Sequence, residues 1–127
     1  MQASKIYIEP LKKTFEVRHT NRLVKLSYAF QLTMSKMGAI ADVEDPDKQF
    51  ETAQNYASSL VDFPKEALKL TDQQAELLDD TEQDELQKID VKLALTIQGL
   101  PKKAIAETLA DMDNAVDKEK DAQKSKK

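Results

Sequence analysis

Residues 81–101 read TEQDELQKIDVKLALTIQGLP and carry the broadest apolar pattern of the chain. The apolar residues that recur at spacings of three and four are Leu86, Ile89, Leu93, Ile97 and Leu100. This spacing puts them on one face of an α-helix, and Val91 and Leu95 widen that face well beyond a narrow stripe. Gly99 and Pro101 mark the end of the helix. We predict that this helix lies at the centre of the core.

An earlier segment has the same helical period. Thr20 or Asn21 can cap a helix, because the side-chain oxygen of either residue satisfies a free amide group at the helix start. The helix is expected to end at Gly38, since glycine accepts the left-handed backbone of a helix stop. Its predicted core-facing residues are Leu23, Leu26, Phe30, Met34 and Met37. Residues 39–44 are predicted to form a linker.

Two further helices are predicted between this linker and residue 81. The first starts at Asp45 and Pro46, because aspartate caps a helix and proline is tolerated at the first helical position. Its predicted core-facing residues are Phe50, Ala53, Ala57, Leu60 and Phe63. Pro64 is expected to interrupt it. Residues 71–74 have the form of a capping box, which predicts a short acidic helix through about Asp80.

The N-terminal part alternates apolar and polar residues on either side of a turn, which predicts a β-hairpin over about residues 5–18. Ile6 and Ile8 are expected to face Phe15 and Val17. A two-stranded hairpin is only marginally stable in water. It must therefore lie on the helices or pair with the edge of another chain, and the sequence leaves both options open.

The last apolar pattern is a thin seam on a helix predicted after Pro101. Its members, which we predict to bind a partner, are Ile105, Leu109, Met112 and Val116. So narrow a seam is typical of an edge helix or of a helix in a partner's groove. Residues 117–127 have almost no apolar surface and are predicted to be a disordered, charged tail. The predicted fold is mainly α: a compact domain over residues 1–116 with about five helices and a short N-terminal β-hairpin.

The composition excludes several classes of function. The chain has 127 residues, of which 40% are hydrophobic and 33% charged, and this size fits one domain. Disulfide chemistry, thiol catalysis and cysteine-based zinc sites are excluded because there is no cysteine. With two glycines, the chain has no glycine-rich loop to hold a phosphate. We find no apolar run that predicts a signal peptide or a membrane span, so a cytoplasmic protein is expected.

No pattern of side chains typical of catalysis or metal binding is found. His19 is the only histidine, and its neighbours Arg18 and Arg22 would not tune it as a general base, so a surface or capping role is expected. The acidic clusters in residues 42–47 and 79–85 lack the glycine of a calcium loop and are expected to be solvated. We predict that the protein is no enzyme and holds no cofactor or metal.

A basic region gives an alternative function. Its members, between Lys12 and Lys25, are Lys12, Lys13, Arg18, Arg22 and Lys25. They could bind nucleic acid, as in a small phage or bacterial regulatory protein. The region lacks interleaved aromatic residues, and the net charge of the chain is −4, so binding to nucleic acid is not the favoured hypothesis.

The order of the parts allows a comparison with a known family. A strand with the sequence KIYI at residues 5–8 is followed by a strand with the sequence KTFEVR at residues 13–18. A helix, acidic helices and a lysine-rich end come after them. This order, over residues 5–116, resembles the tail assembly chaperones of long-tailed, siphovirus-type bacteriophages, and the resemblance rests on the overall pattern.

The resemblance implies a function in the assembly of the phage tail. A chaperone of this kind coats the tape measure protein, keeps it soluble and helps recruit tail tube subunits, and it often self-associates. It acts in the host cytoplasm and is not expected in the mature virion. The resemblance also implies a longer form made by a translational frameshift, for which Ser125-Lys126-Lys127 lies in a suitable place. A component retained in the virion is a further alternative.

Overall fold

The computed structural model describes residues 4–112. Its elements are the strands β1 (Ser4–Ile8) and β2 (Lys13–Val17) and the helices α1 (Asn21–Gly38), α2 (Pro46–Leu68), α3 (Asp72–Asp79), α4 (Gln83–Ile97) and α5 (residues 102–112). Short 3-10 turns at Glu9–Leu11 and Ile40–Asp42 complete the order. The predicted mainly α fold with five helices and an N-terminal hairpin is confirmed. The tail at residues 117–127 and the boundary predicted at residue 116 lie outside the described residues.

Helix α4 is the centre of the core, as its wide apolar arc predicts. It contacts α1, α2 and β1. Its buried residues are Leu86, Asp90, Val91, Leu93, Ala94, Leu95, Thr96 and Ile97. Gly99 ends the helix with φ +83°, and the N–H of Leu100 donates to the carbonyl of Leu95 over 3.1 Å. Leu100 lies beyond this reversal and is 36% exposed, so its predicted place on the core-facing stripe is wrong.

Helix α1 begins as predicted and ends differently. The backbone N–H of Leu23 donates to Thr20 Oγ1 over 3.3 Å, so Thr20 is the cap. Gly38 was expected to adopt the left-handed stop, but among the described residues the left-handed glycine is Gly99. Gly38 is instead the last helical residue, and Ala39 caps the helix with φ −98°. The chain enters the 3-10 turn at Ile40–Asp42 directly, so no left-handed reversal is needed.

Helix α2 runs through Pro64 to Leu68, so the predicted interruption at Pro64 is wrong. A proline inside a helix removes one backbone hydrogen bond and crowds the preceding turn. Here Pro64 is fully buried, and the ring of its neighbour Phe63 stacks on Phe30 with centroids 4.9 Å apart. Packing of α2 against α1 and α4 holds the helix together, as tertiary contacts commonly override local preference.

The core-facing row of α2 differs from the predicted stripe at its N-terminal end. Tyr56, Leu60 and Phe63 are buried, whereas Phe50 is 75% exposed and Ala57 is exposed as well. Three residues of an α-helix rotate the side-chain direction by about 300°, which is about 60° short of a full turn. Over the thirteen residues from Phe63 back to Phe50, the helix therefore rotates the side chain by about 140° out of the core. Phe50 points to solvent for this geometric reason.

The N-terminal hairpin lies on the helices of its own chain. β1 and β2 are antiparallel, and Ile6 is opposite Phe15 as predicted. Ile8 is opposite Lys13 and Val17 is opposite Ser4, so the expected pairing of Ile8 with Val17 is wrong. Nζ of Lys13 lies 5.2 Å from the ring centroid of Phe15. Ile6, Ile8 and Val17 are each 1% exposed and belong to the same core cluster as α4. Burial of this face supplies the stability that a free hairpin lacks.

The capping box at the start of α3 is present as predicted. The N–H of Gln74 donates to Thr71 Oγ1 over 3.2 Å, and the N–H of Thr71 donates to Gln74 Oε1 over 3.0 Å. Ala75 and Leu78 of α3 are buried, and Leu70 fills the space just before the helix. In the part of the chain that the structure describes, none of the helices is long and apolar enough to cross a membrane.

Candidate partner-binding groove

His19 connects the hairpin to the end of the central helix. Its Nδ1 lies 2.8 Å from the carbonyl oxygen of Ile97, and because a carbonyl only accepts, Nδ1 is the donor. Its Nε2 lies 3.1 Å from the hydroxyl of Ser4. The hydrogen bond from Nδ1 satisfies the carbonyl of Ile97, which lies in the last turn of α4 and has no partner within the helix. The capping role expected for His19 is thus the one that its geometry supports.

Asp90 is a buried carboxyl group that the sequence analysis did not single out. It is 0% exposed, and neither carboxyl oxygen has a hydrogen-bond partner. Burial raises the pKa of Asp90 well above its usual value. Burial also raises the pKa of Tyr56 to about 12, with a smaller contribution from the nearby Asp90. The sequence contains a signal that Asp90 is buried, because Asp90 lies four residues after Leu86 and three before Leu93, within the apolar arc of α4.

A single buried carboxyl group in the core lacks the surroundings that general acid–base catalysis requires. General acid–base chemistry needs access to substrate and a partner that sets the proton position. Asp90 lies under the surface, and its described neighbour Tyr56 is 4% exposed. Among residues 4–112, the structure has no group of three or more carboxylates and histidines that could hold a metal ion.

A groove with apolar walls lies between the hairpin, α4 and α5, and we call it the α5 groove. Its volume is about 480 Å³. The residues that line it are Ser4, Lys5, Tyr7, Thr14, Lys92, Thr96, Leu100, Lys102, Ile105, Ala106 and Leu109. Tyr7 and Thr14 are opposite each other on the hairpin and form the hairpin wall of the groove, which Leu100 and Leu109 also line. Tyr7 is 47% exposed, so a partner could reach it.

Three of the four predicted partner-binding residues lie in the described part of the chain, where they belong to the core, the groove or both. Ile105 is 6% exposed and belongs to the core cluster, although part of it lines the α5 groove. Leu109 and Met112 are partly buried against the core, and Leu109 also lines the groove. Val116 lies outside the described residues. Sequence reasoning missed the hairpin wall, because nothing in a local pattern links Tyr7 to a helix almost a hundred residues later.

The charged side chains that line the α5 groove are all lysines. Lys5 comes from β1, Lys92 from α4 and Lys102 from α5, and no aspartate or glutamate lines the groove. Lys5 and Lys102 are exposed, and Lys92 is half-buried. Within the described part of the chain, the ion pair between Lys65 and Asp72 lies elsewhere and involves none of the three. The groove therefore combines apolar walls with three positive charges.

Two residues of the basic region between Lys12 and Lys25 share a groove with carboxylates. Arg18 and Arg22 line this second groove together with Lys69 and the carboxylates of Glu16 and Glu66. Lys13 packs over Phe15. A phosphate backbone requires positive charge that is not offset by carboxylates. This arrangement does not favour the alternative of a nucleic-acid-binding protein.

An exposed apolar groove on a helical domain is typical of proteins that bind segments of other proteins. The family model described as "Phage tail assembly chaperone proteins, TAC" matches residues 4–123 of this chain. The chain belongs to this family of phage tail assembly chaperones, as the order of its parts predicted. Membership implies protein partners in tail assembly. No curated protein and no solved structure gives a significant match.

Proposed function

We propose that this chaperone binds the tape measure protein through the α5 groove, keeps it soluble and helps recruit tail tube subunits. A long helical client exposes apolar side chains that aggregate until another surface covers them. The observation that carries the proposal is the partial exposure of Tyr7 and Leu100, two apolar side chains that line one groove. Leu109 of α5 adds to this apolar surface, while Ile105 and Met112 pack against the core beneath it.

The test is co-expression with the tape measure protein encoded by the same phage. We expect the native chaperone to keep that client in the soluble fraction and to co-purify with it. The double variant Tyr7→Ser, Leu100→Ser should lose most of this effect, because it removes apolar contacts from the groove lining. The control is Phe50→Ser, which removes an apolar side chain that is 75% exposed and does not line the groove.

Folding of each variant is checked by its thermal unfolding curve. Both replaced groove residues are at least one-third exposed, so the double variant should keep a cooperative transition. Loss of client solubility with Phe50→Ser alone would place the binding surface elsewhere. A client that stays insoluble with the native chaperone would contradict the proposed function itself.

The proposal includes the place and time of action. We infer that the chaperone works in the host cytoplasm and leaves before the particle is complete. Mass spectrometry of purified virions should then detect tube and tape measure peptides and none from this chain. Peptides of this chain at stoichiometric levels would support the alternative of a retained structural component.

A longer form of the chain belongs to the same proposal. We expect an overlapping downstream reading frame, entered by a backward slip near Ser125-Lys126-Lys127. Western blotting with an antibody to residues of the described domain should reveal two products in infected cells. One product, together with a gene that has no such frame, would contradict this part.

A further inference from the structure

We propose that the segment held in the α5 groove is an acidic amphipathic helix of the client, with aspartate or glutamate flanking its apolar anchors. This inference rests on the proposed function and specifies the chemistry of the partner. It adds the charge of the bound helix, because the apolar walls alone would accept any hydrophobic helix.

The fold brings three positive charges together at the α5 groove. Lys5, Lys92 and Lys102 lie on three elements that are distant in sequence, and the fold brings them to one groove. The whole chain has 23 acidic and 19 basic residues and a net charge of −4. A lining with three lysines and no carboxylate is therefore opposite in sign to the molecule as a whole. Such a site attracts negative partners and repels basic ones.

The three lysines are available to bind carboxylates of a partner. None of the three ammonium groups takes part in an ion pair among the described residues. Lys5 and Lys102 lie at exposed positions beside Tyr7 and Leu100, so their long side chains can reach a carboxylate at the rim. A helix that lays its apolar face into the groove would place its flanking residues at this rim.

The lining of the α5 groove suits a peptide better than a nucleic acid. Apart from the lysines, the lining is apolar or carries hydroxyl groups, and it includes no arginine. A phosphate backbone would bring a continuous row of charges and no apolar side chains for Leu100 and Leu109 to cover. An acidic amphipathic helix satisfies both parts of the groove, so it fits better.

The experiment compares two double variants of equal charge. Lys5→Glu, Lys102→Glu reverses two exposed groove lysines, whereas Lys25→Glu, Lys103→Glu reverses two exposed lysines outside it. Lys103 is the direct neighbour of Lys102 on α5, so it controls for the charge of that helix. The probes are overlapping synthetic peptides that cover the tape measure protein of the same phage, measured by fluorescence anisotropy at low and high salt.

We expect the bound peptides to be acidic and amphipathic. The groove variant should weaken their binding by about tenfold at low salt, and the control by less than about twofold, because charge effects are strongest at close range. Added salt should reduce the difference between the two variants. A peptide with its carboxylates replaced by lysine should bind the groove variant better than it binds the native chain.

Several outcomes would overturn the inference and leave the proposed function in place. These are binding of neutral or basic peptides, equal losses in both variants, or self-association of the chaperone through this groove. Binding of a DNA or RNA oligonucleotide that the groove variant abolishes would overturn it in favour of nucleic acid. If neither the peptides nor the full-length tape measure protein binds the native chain, the proposed function fails as well.

Discussion

Asp90 is the one ionisable residue among the buried residues of α4. A carboxylate without a partner in a low-dielectric core costs much more than a protonated carboxyl group, so the folded state retains the proton. The unfolded chain releases that proton near the usual pKa of an aspartate. The folded protein should therefore lose stability as the pH rises from that usual pKa to the raised one, and regain it in acid.

Replacing Asp90 by asparagine tests this coupling. In the window between the two pKa values, the free energy of unfolding of the native chain should fall by about 1.4 kcal/mol per pH unit because of this group. Asp90→Asn has no carboxyl group to titrate and should remove this part of the slope. Urea unfolding at a series of pH values measures it. Parallel pH profiles for the native chain and Asp90→Asn would contradict the assignment.

His19 acts as a connection between segments that are far apart in sequence. Its ring bonds the carbonyl of Ile97 at 2.8 Å and contacts Ser4 at 3.1 Å. His19→Ala should lower the free energy of unfolding by about 1–2 kcal/mol, the typical effect of losing such hydrogen bonds. Arg18→Ala, at an exposed neighbouring position, should change it by less than about 0.5 kcal/mol. Equal effects in urea denaturation would contradict the role of His19.

At the scale of elements, the two glycines of the chain have opposite roles. Gly99 has φ +83°, whereas Gly38 is the last residue of α1, and a Cβ added there meets no atom within 4 Å. Gly99→Ala should therefore destabilise the protein by about 1 kcal/mol, and Gly38→Ala should stabilise it by about 0.4–1 kcal/mol. Thermal unfolding of the two variants should show shifts of opposite sign. Shifts of the same sign would contradict these two assignments.

Local signals predicted the elements well where local energy decides the outcome. The capping box at Thr71, the cap at Thr20 and the stop at Gly99 depend on hydrogen bonds within a few residues, and all three are present. Pro64 was misjudged because long-range packing around it outweighs one missing hydrogen bond. Phe50 was misjudged because a stripe of apolar residues drifts around a helix, and its visible pattern does not say where the core stops.

The candidate site could be predicted from the sequence only in part, because it also depends on long-range packing. The narrow seam on the last helix drew attention to Leu109, which lines the α5 groove. The hairpin wall at Tyr7 and the lysines that surround the groove depend on how the hairpin docks on α4. No spacing rule reports such a contact, because it joins the two ends of the described chain.

At the scale of the whole molecule, the hairpin and the helices form one cooperative unit. Ile8 is 1% exposed and packs in the same cluster as the central helix. Ile8→Ala should lower the free energy of unfolding by about 2–4 kcal/mol through lost burial and the cavity that remains. Thr14→Ala, on the exposed face of the same hairpin, should have little effect. We expect a single transition by circular dichroism and by tyrosine fluorescence, whereas separate transitions would show an independent hairpin.

The proton held by Asp90 has a calorimetric consequence. At a pH between the folded and unfolded pKa values, each molecule that unfolds transfers a proton to the buffer. The heat recorded in a scanning experiment then contains the enthalpy of buffer protonation. Unfolding enthalpies measured in an amine buffer and in phosphate should therefore differ for the native chain and agree for Asp90→Asn. The difference for the native chain reports the proton that the buried carboxyl group releases on unfolding.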